Sequence, residues 1–246
     1  MKLEQGLQRK HYIVLREKLS EIISETASGE KLPSEPVLAK SLGVSRATLR
    51  EAMRFFEGNG LIRRKQGVGT FVLGTPQVFE AGLEVLESID KIGKRSGMDV
   101  RVDGLSVNII PANEQMAKEF SVEIGANLLK IERTVITENR TIAYLEDIVP
   151  NEFLSLNEFD FPGFSGSVLD YLLKKGNPVP SRSFTSINAE PANSNVARAL
   201  GIQRGDGLLV FTAKLYSEKG RVVDYSSSYF LPGYFHFHVV RSVGVS

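Results

Sequence analysis

Between Leu32 and Val72 the chain alternates helix signals with glycine stops so closely that few local folds are open to it. Ser34 precedes Glu35-Pro36-Val37-Leu38-Ala39. A serine suits an N-cap, an acid suits the first turn, and proline is tolerated there because its missing N–H would have no helical partner. Leu38 and Leu42 are four apart and face one core, and Gly43 suits the helix C-terminus. Ser45 then caps a second helix beginning Arg46-Ala47-Thr48-Leu49-Arg50-Glu51. In it Leu49, Ala52, Met53 and Phe56 form an inward stripe, while Arg46, Thr48 and Arg50 lie off the stripe at the leading end. After Asn59-Gly60, the runs Leu61–Lys65, Gln66–Gly69 and Thr70–Val72 read as strand, turn and strand.

Two capped helices around a tight turn, followed by a basic hairpin, are the layout of a winged helix-turn-helix. The leading end of its second helix meets base edges and phosphates. Arginine can pair with guanine or phosphate, threonine with either phosphate or base, and the helix dipole favours anions there. Arg64 and Lys65, just before the hairpin tip, suit flanking phosphates or the minor groove. Each piece alone has an ordinary explanation: a capped helix with a solvated arginine, or a solvated basic edge. Their conjunction in fixed order points to DNA. The segment LPSE…LGVSRATLREAM…GNGLI…GVGTFV resembles the DNA-binding domain of the GntR family of bacterial transcription regulators, over about His11 to Val72. The resemblance implies a dimer on a palindromic operator. It implies DNA contacts at Ser34, Glu35, Arg46, Thr48, Arg50, Lys65, Gln66, Gly67 and Gly69, to which Ser45 and Arg64 are added from their positions.

A net charge of +1 over 246 residues looks wrong for a DNA binder. Divided at residue 75, the first part holds 13 Lys+Arg against 8 Asp+Glu, net +5, and the remainder 17 against 21, net −4. Basic charge is concentrated where phosphate would be met. Zero cysteines exclude disulfides, zinc ribbons and thiol catalysis. With no apolar leader core at Met1–Gln5 and no long apolar run, a cytoplasmic protein is expected. A helix is expected from Tyr12 to about Thr26, with Leu15, Leu19, Ile22 and Ile23 inward.

The remainder contains an internal repeat. Pro111–Ile142 and Pro191–Val222 align without gaps at an offset of 80 residues: Pro-Ala-Asn, Ala117/Ala197, Phe120/Leu200, Gly125/Gly205 and Leu128-Leu129/Leu208-Leu209 coincide. Each copy reads as a strand, a short helix capped by Asn113 or Asn193, and a hairpin turning at 138–140 or 218–220. Two such units are expected to pack as a pseudo-twofold pair on one antiparallel sheet, with a small-molecule cleft where they meet. Between them Ser167–Lys175 reads as a capped helix with Val168 and Leu172 inward. The final strands are expected at 222–231 and 234–240.

This part resembles the UTRA effector domain of the HutC branch of GntR regulators, over about Gly97 to Val240. The residues carrying the likeness are GMDV at 97–100, the Arg133 strand, Ile142-Ala143-Tyr144, the Ser167 helix, and ALGI…GDGLLV…GRVVDYS. The resemblance implies the chorismate-lyase fold and a small effector, often a phosphorylated sugar, an amino acid or a relative. Ligand contacts map to Ser88, Ser167 and Asp224, and the branch's hairpin Glu falls at Leu145 or Glu146. Arg133 is a candidate on its own merits. It shares a strand face with Leu129, Ile131 and Val135, where a charge needs a partner, and it aligns with Ala213, so the repeat does not require it. That partner is a bound anion, or an internal carboxylate such as Glu146 or Asp224. Ser167 can donate to an anion or simply cap its helix; Asp224 can accept sugar hydroxyls or an amine, or be a solvated strand carboxylate. Leu169 and Phe230 stand where that branch often has hydroxyl-bearing aromatics, implying a less polar effector or none. His236 and His238 share a strand face without an evident third ligand, so a surface strand is expected rather than metal.

The expectation is thus an α+β chain: a DNA-binding domain at 1–74, a linker at 75–94, and an effector and dimerisation domain at 95–246. It would be a repressor without cofactor, its operator affinity set by an anionic effector acting through the linker. The alternative is a lyase-like enzyme with an accessory DNA-binding domain; Arg133, Glu146 and Asp224 are its only offered groups and no general acid is clear.

Overall fold

The computed structural model describes residues 2–58, 60–65, 67–73, 78–137, 140–159 and 163–242, with side chains from Tyr12 onward except Glu158. The chain divides into two compact units, Met1–Gln77 and Val78–Ser246. The first carries α1 (Lys2–Glu25), α2 (Glu35–Leu42), α3 (Arg46–Gly58), β1 (Ile62–Lys65) and β2 (Gly69–Val72). α1 begins ten residues before its expected start at Tyr12, on residues that are mostly good helix formers. Leu15, Leu19, Ile23, Leu38, Leu49, Met53 and Phe56 close one core with Ile62 and Val72 of the hairpin. Truncating a fully buried member such as Leu49 would cost about 2–5 kcal/mol.

The second unit holds β3 (Phe79–Gly82), α4 (Ile89–Arg95), β4 (Arg101–Pro111), α5 (Glu114–Phe120), β5 (Asn127–Thr137) and β6 (Arg140–Pro150). A 3-10 turn (Leu156–Glu158), α6 (Val168–Lys175), β7 (Pro180–Pro191), α7 (Ser194–Leu200), β8 (Gly207–Ser217), β9 (Val222–Phe230) and β10 (Phe235–His238) follow. Six strands make one antiparallel sheet in the order β4-β5-β6-β9-β8-β7. That order reads the same from either edge when the repeats are exchanged, as a pseudo-twofold pair must. Asn113 and Asn193 cap α5 and α7 by accepting from the Met116 and Val196 N–H groups. Each repeat's helix packs on the other's inner hairpin strand, α5 on β9 and α7 on β6. The first repeat's turn at Glu138-Asn139 lies outside the described residues; the second turns at 218–220, with Gly220 at φ 77°.

Much of the stretch expected as linker is built into the second unit. Residues 79–82 form β3, which pairs in parallel with β10, and the helix sits at Ile89–Arg95. Their inner residues Phe79 and Ala81 join Phe230, Leu231 and Tyr234 in the core. α6 closes a second core with Leu129, Ile131 and Val149 through Val168 and Leu172.

Candidate functional site

In the first unit, Gly43 at φ 66° turns the chain between α2 and α3, and its N–H reaches the Ala39 and Lys40 carbonyls. Ser45 Oγ accepts from the Thr48 N–H at 3.1 Å and bonds the Thr48 hydroxyl at 2.8 Å. Ser34 occupies the N-cap position of α2 without a side-chain cap bond and is exposed. At the leading end of α3, Arg46 and Arg50 are exposed and Thr48 is half-buried. Arg50 Nε donates to Glu35 Oε2 at 2.6 Å. Arg64, from β1, donates through Nη2 to the Arg50 carbonyl at 3.0 Å and lies 3.9 Å from Glu35. Glu35 therefore ties α2, α3 and the hairpin together through two arginines. Its own negative charge suits holding them better than meeting phosphate.

Lys65 is exposed on the hairpin, opposite Gly69 in register. Gly67 at φ 72° and Gly69 at φ 141° shape the tip, and a Cβ at Gly69 would collide with the Lys31 side chain. Gln66 lies outside the described residues. Lys31 was not foreseen as part of this surface. Its backbone bridges to Phe71, a tertiary pairing with no local signal.

In the second unit a cavity of about 690 Å³ lies over one face of the large sheet. Strand alternation builds its floor: Arg133 and Val135 from β5, Leu145 and Asp147 from β6, Asp224, Ser226, Ser228 and Phe230 from β9, with β7 and β8 alongside. Residues 81–90, Gly166-Ser167 and Phe237 add to its wall. Ser88, Arg133, Ser167 and Asp224, from four distant stretches, all line it.

Arg133 is 4% exposed. Its Nε donates to the Gly166 carbonyl at 2.7 Å and its Nη1 pairs with Asp147. The internal partner is therefore neither Glu146 nor Asp224. Glu146 does not line the cavity; it points to the opposite sheet face, where Lys130 Nζ lies 2.8 Å away. One residue of register reverses the face of a strand side chain, and Asp147 is the one turned inward.

Asp224 is buried, and its Oδ1 has no hydrogen-bond partner among the described residues. Burial pushes its carboxyl well above the usual carboxylate range, the neighbouring Asp147 charge adds to this, and Arg133 opposes it. In its neutral form, which burial favours, Asp224 would leave Arg133 and Asp147 as a balanced pair. Neither Arg133 contact uses Nη2. Ser88 and Ser167 cap α4 and α6 by accepting from the Lys91 and Asp170 N–H groups, which leaves each hydroxyl proton free to donate. Ser226 and Ser228 were missed, although the two-residue period from Asp224 places them on its face.

A model of the bacterial regulatory proteins of the gntR family matches residues 12–72, and a UTRA domain model matches 95–236, more than half the chain. The chain belongs to the GntR family, in its UTRA-bearing branch. The repressor NagR of Bacillus subtilis is 28% identical over 198 residues, 80% of this chain and 79% of NagR. MngR of Escherichia coli, a mannosyl-D-glycerate transport/metabolism system repressor, is 24% identical over 211 residues, 84% of each chain. The crystal structure of PhnF from Mycobacterium smegmatis aligns with TM-score 0.63 at 19% identity, covering 94% of this chain and all of PhnF, a likeness of fold. This GntR regulator is thus a DNA-binding transcription regulator with an effector-binding UTRA domain, and its relatives are regulators rather than enzymes. Among the described residues no helix is long and apolar enough to cross a membrane.

Proposed function

We propose that this GntR regulator is a cytoplasmic repressor that binds a palindromic operator as a homodimer and is controlled by a small anionic, hydroxyl-bearing effector. The observation that carries the effector class is Arg133: a buried guanidinium in the cavity, with Nη2 free of its internal contacts. The Ser88 and Ser167 hydroxyls and the N-terminus of α6 supply further donors for the same anionic group. The Asp224 carboxyl and the Ser226 and Ser228 hydroxyls suit an uncharged hydroxylated portion, with Phe211, Phe230 and Phe237 around it. The names of NagR and MngR as repressors support the direction of control, and the mannosyl-D-glycerate in MngR's name is an anionic polyol.

On the reading head, Arg46, Thr48, Arg50, Arg64 and Lys65 face DNA with Ser34, Ser45, Gly67 and Gly69 close to the backbone, and Glu35 positions the two arginines. The effector acts only to the extent that it binds the operator-free arrangement of the dimer more tightly than the operator-bound one.

The test is capture of fragmented genomic DNA by the purified protein at physiological salt, followed by sequencing. The expected result is a few palindromic sites, released by one of a panel of sugar phosphates and sugar carboxylates. Enrichment without sequence preference would defeat the operator assignment, and release only by uncharged sugars would defeat the anionic effector.

A further inference from the structure

The outer face of the β3–β10 ribbon carries three residues that the DNA and effector sites do not use. β3 and β10 run parallel with Phe235 opposite Phe79, His236 opposite Glu80, and Phe237 opposite Ala81. Phe79 and Ala81 are buried on the inner side. The alternation then turns Glu80, His236 and His238 outward together, with side-chain exposures of 59%, 63% and 44%. One ligand atom from each lies within 4.8 Å of the others. His236 Nδ1 is 2.8 Å and His238 Nδ1 3.6 Å from the same oxygen, Glu80 Oε2.

We propose that Glu80, His236 and His238 bind a divalent transition metal ion, with Zn²⁺ as the ion that fits. Two imidazoles and a carboxylate are a donor set that suits zinc and borderline divalent metals, and four-coordinate zinc takes three protein ligands plus water. Bonds of about 2.0–2.1 Å in tetrahedral geometry put ligand atoms about 3.3 Å apart. The two observed His–Glu separations bracket that spacing, so small side-chain rotations complete the site. Glu84 adds to it: its Oε2 lies 2.6 Å from where a Cβ on Gly82 would stand, with His238 Nε2 3.6 Å from the same point, so a second carboxylate sits beside the cluster. As a bare exposed ion pair the cluster would contribute little to the fold.

The ion would join the first strand of the unit to its last. Ala81 and Phe237, on the reverse side of these strands, line the effector cavity, so the metal would fasten one wall of that cavity from outside. Zn²⁺ would thereby act on the sensor without touching the effector.

The experiment uses the full-length protein, stripped of metal and titrated with Zn²⁺ against a chromophoric chelator, then with Co²⁺ followed by visible absorption. The expected result is one ion per chain with micromolar affinity or better, the absorption of a four-coordinate Co²⁺ site, and a Zn²⁺-dependent rise in melting temperature. The double variant His236→Gln with His238→Gln should melt like the wild type without metal, since both side chains are exposed. It should bind Zn²⁺ at least about 100-fold more weakly, because it loses two of three ligands. The only other histidine, His11, is in the other unit. Unchanged Zn²⁺ affinity in the double variant, or wild-type binding no tighter than millimolar, would overturn the proposal.

Discussion

Arg133 is the residue on which the chemistry of the sensor turns, and its surroundings change how it must be tested. Arg133→Ala would leave Asp147 charged and buried without its cation, at a cost of about 3–5 kcal/mol, so loss of effector response in that variant would report instability. The pair Arg133→Met with Asp147→Asn removes both charges. We expect it to melt several degrees above Arg133→Ala in thermal denaturation, bind operator normally, and ignore the effector. Asp224 provides a second measurement. Its carboxyl is raised in the folded state, so the folded chain holds a proton that the unfolded chain releases above about pH 4. Stability therefore falls as pH rises from about 4 to the raised folded value, and is level beyond it. Asp224→Asn, neutral at every pH, should melt higher than the wild type at pH 8, with the gap closing towards pH 4. At this scale the sequence was readable to within one position. An inward charge at 133 was evident from its apolar strand neighbours, but 146 and 147 differ only in register, which pairing partners set. Gly166, which accepts from Arg133 across 33 residues, had no local signal.

The helices and strands were more legible than the contacts between them. Caps at Ser45, Asn113, Asn193 and Ser167 are local chemistry, and all four side chains accept the N–H bonds that their positions imply. Ser34 looks identical in sequence yet makes no cap bond. This contrast is measurable. Ser45→Ala should lower the stability of the first unit by about 1 kcal/mol, while Ser34→Ala should change it by less than about 0.5 kcal/mol. A Ser34→Ala variant that melts normally but binds operator more weakly would identify Ser34 as a backbone contact; unchanged operator binding would remove it from the interface. The internal repeat foretold the sheet because gapless similarity at 80 residues demands two equivalent units. The β3–β10 pairing was hidden because it joins segments 156 residues apart, as Glu80 and His236 are, and neither strand exceeds four residues.

For the whole molecule, near-neutral charge conceals a division of labour: a basic reading head and an acidic sensor. Operator affinity should accordingly depend steeply on salt. With Arg46, Arg50, Arg64 and Lys65 at phosphates in both heads of a dimer, log K against log salt should have a slope of about −7, and Arg46→Ala should make it shallower by about 2. A wild-type slope near zero in a fluorescence anisotropy titration would remove these side chains from the phosphates. The arrangement of β3 beside β10 has a consequence in time as well as space. One wall of the cavity pairs the first strand of the second unit with its last. During synthesis the reading head is complete after some seventy residues, whereas the cavity wall waits for residues 235–238 to leave the ribosome. A nascent regulator therefore completes the surface that reads DNA well before it acquires the means to be told to let go.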